Sequence, residues 1–280
     1  MTATIAPPAP ERAGEALHEF AFAGAPDRRL FTVFRAARGP ARAAFVLCPP
    51  FFHEQFLSYR LLSLVAARLA ERGIASLRFD YYGSGDSWGD ETAFTLDGVF
   101  ADAGTALDEL ARRVPGVPLI AFGARAGAWP AARLAQRHRL PLWLWQPLTD
   151  GRAWLDELVA MDARERASRL RYPFIGTQPK PAEADRLLAS YCPASLRAQI
   201  AAQSLDGLLA EARSADAALD LRVVDDERAA PLPQARQHVA LPAAAAGWHA
   251  RIDLRATFIT PPVAACIDAL AQAAPGEEAK

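Results

Sequence analysis

The sequence predicts an α/β fold: a mostly parallel central sheet with helices on both faces and a helical insertion laid over it. Three observations carry this. Short, continuous apolar runs alternate with amphipathic stretches at helical spacing, which calls for parallel strands joined by right-handed helical crossovers. The runs stop abruptly at Pro49-Pro50, Gly73, Pro115-Gly116 and Pro147, residues that cannot extend a ladder or that end a helix. The alternation then breaks at Thr149 and resumes only near Leu205.

In chain order, residues 1–15 read as a loose tail around Pro7-Pro8-Ala9-Pro10. The alternating stretches 18–22 and 30–34, parted by Gly-Ala-Pro-Asp, form a hairpin with one buried face. Ala43–Cys48 is apolar throughout and suits a central strand covered on both sides. Leu57, Leu61, Leu62, Val65 and Leu69 recur at helical spacing up to Gly73, and the next strand is Ile74–Phe79. A glycine-rich loop over 80–90 precedes a helix marked by Val99, Ala103, Leu107, Leu110 and Val114. Strands at 117–122 and 140–145 enclose a further helix, whose first turn tolerates Pro130. Helical pieces and a Pro-rich link over about 150–205 form the insertion. A helix over 195–213, strands at 219–224 and 238–241, and a last helix bearing Val263, Cys266, Ile267 and Leu270 complete a single domain over 16–280.

Composition narrows the function classes. The chain has 51% hydrophobic and 22% charged residues with a net charge of −1, so neither nucleic acid nor an anionic membrane surface is expected as partner. Cys48, Cys192 and Cys266 are odd in number and far apart, which fits a reducing cytoplasm and neither a disulfide framework nor a zinc knuckle. No apolar run reaches the roughly 20 residues of a membrane span. Gly83-Ser84-Gly85 is not a dinucleotide loop, because the third glycine of that motif would fall on Trp88. No cofactor or metal is expected.

The most informative stretch is Gly123-Ala124-Arg125-Ala126-Gly127, placed between a strand and a helix. This is the spacing of a nucleophile elbow, in which a serine is held at the top of a sheet and the glycines let strand and helix approach. Here the central residue is Arg125. A guanidinium stays protonated and has no lone pair to offer as a nucleophile. It can grip a carboxylate or phosphate through parallel N–H bonds. A cation buried there needs a carboxylate nearby, and Asp225, Asp226, Asp86, Glu54 and Asp150 are the candidates. The pair could be an internal salt bridge or, with an anionic ligand, a clamp.

Ligands of open α/β sheets lie beyond the carboxyl ends of the strands. That rule selects Phe51, Phe52, His53, Glu54, Asp86 and Gln146 as ligand-facing residues. The chain order nucleophile, acid, histidine puts Arg125, then Asp225 or Asp226, then His249 into the three catalytic slots.

The stretches Cys48-Pro49-Pro50-Phe51-Phe52-His53-Glu54-Gln55, Phe79-Asp80-Tyr81-Tyr82-Gly83-Ser84-Gly85-Asp86-Ser87-Trp88-Gly89-Asp90, Gly123–Gly127 and Leu144-Trp145-Gln146-Pro147 together resemble the α/β-hydrolase superfamily. More narrowly they resemble the exosortase A system-associated hydrolase 2 group, although Phe52-His53-Glu54 stands where that group has Ala-Glu-Glu. The resemblance covers about residues 42–150. It implies the hydrolase fold, an arginine at the elbow as a group feature, and a setting beside exopolysaccharide and PEP-CTERM sorting genes in Gram-negative bacteria. It implies no substrate. Two readings follow. In the first the chain lacks the serine mechanism and binds a small anionic or acyl ligand, or a protein partner, beneath the insertion. In the second it hydrolyses ester or thioester bonds, with His249 and Asp225 or Asp226 activating water.

Overall fold

The structure is a computed structural model describing residues 18–170, 179–233, 235–248 and 261–275. The tail expected over 1–15 and His249 lie outside these. Among the described residues the strands are β1 (His18–Ala23), β2 (Leu30–Arg35), β3 (Ala43–Cys48), β4 (Ile74–Phe79), β5 (Leu119–Ala124), β6 (Leu142–Trp145), β7 (Arg186–Leu187), β8 (Ser190–Tyr191), β9 (Leu221–Asp226) and β10 (Gln237–Leu241). The helices are α1 (His53–Glu71), α2 (Leu96–Arg113), α3 (Ala128–His138), α4 (Gly151–Arg166), α5 (Ala194–Ala201), α6 (Leu205–Ala215) and α7 (Pro261–Gln272).

Eight strands form one sheet in the order β1-β2-β4-β3-β5-β6-β9-β10. The β1–β2 and β2–β4 pairs are antiparallel, and every pair from β4 to β10 is parallel. The period-2 pattern divides the central strands between two cores. Phe45, Leu47, Ile120, Phe122, Trp143 and Trp145 face α1 and α7. Ala44, Val46, Ala121, Leu142 and Leu144 face the side covered by α2, α3 and α6. Because both faces are covered, these strands read as unbroken apolar runs.

Two expectations need correction, and one helix begins ahead of its apolar markers. The helix expected over 195–213 is two helices, broken at residues 202–204, where Ser204 caps α6 by accepting the Gly207 N–H. Helix α1 starts at His53, four residues ahead of its first apolar marker, so Glu54 lies in a helical first turn. Strand β9 starts at Leu221 because a turn, with the Leu219 N–H on the Asp216 carbonyl, uses the preceding residues.

Between β6 and β9 the chain leaves the sheet through α4, the β7–β8 hairpin and α5. Its two ends are fastened together: Asp150 bridges Ser204, and a Cβ added at Gly151 would come within 1.9 Å of the Ile200 carbonyl oxygen. Asp150, one candidate partner of Arg125, instead caps α4 by accepting the Ala153 N–H at 3.0 Å.

Candidate functional site

Strand β5 turns directly into a short 3-10 turn, Arg125–Gly127, and then α3. Contact distances explain why residues 123 and 127 are glycine. A Cβ on Gly123 would lie 2.4 Å from the Gly127 carbonyl oxygen, and one on Gly127 would lie 2.3 Å from that of Cys48. Between them Arg125 has φ 52°, in the left-handed region that L-residues rarely occupy. The corner therefore has the geometry that presents a nucleophile, and it presents a guanidinium.

That guanidinium is bound. Its Nε and Nη2 both donate to Oε1 of Glu54 at 3.1 Å, and Nη1 donates to the Gln146 carbonyl at 3.4 Å. Glu54 is wholly buried and the Arg125 side chain is 13% exposed. Glu54 sits in the first turn of α1, where the helix dipole favours a negative charge. Of the five candidate carboxylates, then, Glu54 meets Arg125. The Trp248 ring lies 5.8 Å from the guanidinium carbon, within cation–π range. Gln146 fixes that ring: Oε1 accepts the Trp248 indole N–H at 2.7 Å, and Nε2 donates to the Ala246 carbonyl at 2.9 Å.

Backbone strain concentrates here. Among the described residues, six non-glycine residues have positive φ: Phe52, Arg125, Arg139, Gln146, Leu188 and Ala189. Arg139 merely ends α3. Phe52, Arg125 and Gln146 surround the ion pair, whereas Leu188 and Ala189 line the cavity described next. Strain held in one place by its surroundings points to a functional site.

A cavity of about 1060 Å³ opens between the start of α1, the loop over 83–94 and the insertion. Phe52, Phe94 and Trp248 form an aromatic wall, and Met161, Leu170 and Leu188 come from the insertion side. Phe56 and Leu170, 70% and 77% exposed, are the most open large apolar lining residues. Glu91 joins the loop to the insertion by pairing with Arg186 and accepting the Tyr191 N–H.

The expected site residues separate into distinct environments. Phe52 and His53 line the cavity. Phe51, expected to face a ligand, is a core residue 1% exposed, packed on Tyr81, Phe94, Trp129 and Trp154. Glu54 and Gln146 are buried supports of Arg125 and Trp248 and do not line the cavity. Asp86 lies on an exposed part of its loop, also outside the lining, and donates its N–H to buried Asp80. Asp225 is half-buried at the end of β9. Burial raises its pKa above the usual carboxylate range, against the pull of the Asp226 N–H, His238 and Arg125. Asp226 points elsewhere: it pairs with Arg228 at 2.5 Å, which holds its pKa down to about 2. Sequence reasoning missed the insertion's Met161, Arg186 and Leu188 as lining residues, and Glu91 opposite them.

Residues 40–143 match the family described as serine aminopeptidase, S33. No curated protein matches the sequence. Solved structures of similar fold include ferulic acid-bound Est1E from Butyrivibrio proteoclasticus, with TM-score 0.58, 14% identity, and 89% of this chain and 97% of that one covered. A soluble variant of monoglyceride lipase from Saccharomyces cerevisiae, in complex with a substrate analogue, gives TM-score 0.56 and 12% identity over 95% and 96% of the two chains. DcsB in complex with its substrate analogue gives 0.59 and 15% over 91% and 98%. At such identities these likenesses bear on fold alone. Sheet order, the strand-to-helix corner and these likenesses together give this chain the α/β-hydrolase fold.

Proposed function

We propose that this protein binds a ligand in the cavity beneath the insertion and does not perform serine-type hydrolysis. One observation carries the reading: the elbow position is filled by Arg125, locked to a wholly buried Glu54. Serine hydrolysis requires a nucleophilic oxygen at that corner and hydrogen-bond donors aimed at a developing oxyanion. Arg125 supplies no nucleophile. Glu54, in the first turn beyond the loop expected to furnish an oxyanion N–H, is buried against Arg125 and adds no hydrogen-bond donor there. The ion pair also leaves Arg125 with its charge already matched, so an acyl ligand suits the site better than an anionic one clamped by Arg125. The exosortase-associated setting belongs to the same reading, since a group-wide arginine at the elbow would make the missing serine an inherited feature.

Hydrolysis by activated water is the second reading. It draws on Asp225, whose half-buried position at the end of β9 feels the Arg125 charge. One experiment separates the two. A panel of p-nitrophenyl esters and thioesters with a fluorophosphonate probe should give neither turnover above buffer nor labelling. Stoichiometric labelling of any serine would overturn the binding reading, and ester turnover abolished by Asp225→Asn would establish the second. A protein partner as the main occupant would show as pull-down unaffected by occupation of the cavity.

A further inference from the structure

We infer that a second copy of this chain pairs with the open edge of the sheet, β1 against β1 about a two-fold axis at Ala21, so that one sheet runs through two protomers.

Strand β1 stands at the end of the sheet order, and among the described residues only β2 pairs with it. Its outer edge therefore offers a row of backbone N–H and C=O groups to a further strand. Proteins commonly guard such an edge with lysine, proline or a bulge. His18-Glu19-Phe20-Ala21-Phe22-Ala23 has no lysine or proline, and its residues pair with β2 one for one, without a bulge.

The face beside this edge is apolar and open. Phe20, Phe22 and Trp88 are 68%, 48% and 52% exposed. Their rings are linked through Phe31: the Phe20 and Phe22 centroids lie 6.1 and 5.8 Å from that of Phe31, and Trp88 lies 6.5 Å from Phe22. At about 150–250 Å² for a whole aromatic side chain, the three leave roughly 250–420 Å² of ring surface in water on each copy. A contiguous apolar patch of that size marks an interaction site.

The strand's own pattern selects a second copy as the occupant. Antiparallel pairing about Ala21 sets Phe20 against the second copy's Phe22, and Phe22 against its Phe20, so four rings meet on one face. Glu19 then faces Ala23 and His18 faces Gly24, so no charged side chain opposes its own copy, whereas an axis at Glu19 would set that carboxylate against itself. Each chain carries a net charge of −1, so long-range repulsion between two of them is slight. Two copies bring together roughly 500–840 Å² of ring surface, below the about 1,200–2,000 Å² of a stable interface. The pairing is therefore concentration-dependent, with a dissociation constant in the micromolar range.

The test is sedimentation of the intact protein over a micromolar concentration series. Weight-average mass should rise from one chain to two. Phe20→Asp, at a largely exposed position, should move the midpoint upward at least about tenfold with the denaturation midpoint unchanged. Ala21→Cys reads the register: the axis sets residue 21 against itself with Cα atoms about 4.5–5.5 Å apart, within disulfide range, so oxidation with diamide should give a covalent dimer. Glu19→Cys, about 13 Å from its counterpart in this register, should not crosslink, and the native Cys48, Cys192 and Cys266 are buried. A monomer throughout, or a dimer indifferent to Phe20→Asp, overturns the inference. So does a dimer in which Ala21→Cys fails to crosslink or Glu19→Cys crosslinks instead.

Discussion

Two ion pairs in this molecule share a chemistry and differ in surroundings. Arg125–Glu54 joins the elbow to the start of α1, with side chains 13% and 0% exposed. Arg186–Glu91 joins the insertion to the loop over 83–94, with side chains 38% and 44% exposed. Burial decides what each can do. Water screens the outer pair, which then behaves as a fastening that salt can loosen. The inner pair cannot exchange its partner for water, so neither half can be removed without leaving a charge stranded. The first fixes what the corner is; the second ties the insertion to the loop at the edge of the cavity.

The largest effect should come from breaking the inner pair. Arg125→Ser restores the residue type that a serine elbow needs but leaves Glu54 buried without its cation. A loss of about 3–5 kcal/mol in urea denaturation is expected, with no gain in ester hydrolysis. A fully stable, active variant would show that the corner keeps a working acyl site.

A second comparison sharpens the point by pH. Asp80 is buried; its Oδ1 accepts the Gln55 amide at 3.0 Å, and Oδ2 accepts the Asp86 N–H at 3.0 Å. Burial outweighs these bonds and raises its pKa above the ordinary range. The folded state therefore keeps a proton that the unfolded chain gives up. Stability should fall as pH rises from about 4, the ordinary carboxylate value, and level off once the raised folded value is passed. Asp102 and Asp225 are raised as well, with burial the leading cause. Asp80→Asn should accordingly make the fall shallower without removing it, as read from denaturation midpoints between pH 4 and 7. An unaltered slope would show that Asp80 does not hold the proton.

How far the sequence discloses such features depends on where they are encoded. The hairpin β1–β2, strands β3 to β6 and the elbow are legible because apolar runs, prolines and two crowded glycines write them locally. The partner of Arg125 is not, since Glu54 lies 71 residues away and is brought in only by the β3–β5 pairing. Phe51 misleads because its place after a strand suggests a ligand, whereas the turn at Phe52 sends it into the core. The β7–β8 hairpin is illegible for a different reason. Its central residues, Leu188 and Ala189, have φ of 50° and 69°, where turn chemistry expects Asn or Gly. Tertiary packing, including the Leu188 N–H on Asp162, overrides the local preference.

The outer pair should give the smallest effect. Arg186→Gln is expected to leave the denaturation midpoint unchanged within error, since exposed pairs add little. It should instead quicken entry of a fluorescent acyl probe in stopped flow and remove part of the salt dependence of that rate. An entry rate and salt dependence equal to those of the parent protein would show that Glu91 and Arg186 do not restrain the insertion.

The corner itself is tested most directly by a double-mutant cycle on Arg125→Met and Glu54→Leu in chemical denaturation. Each single change should cost about 3–5 kcal/mol and the pair together far less, because two apolar groups leave no stranded charge. Single costs that add within about 0.5 kcal/mol would contradict the ion pair as what holds the corner in its present form.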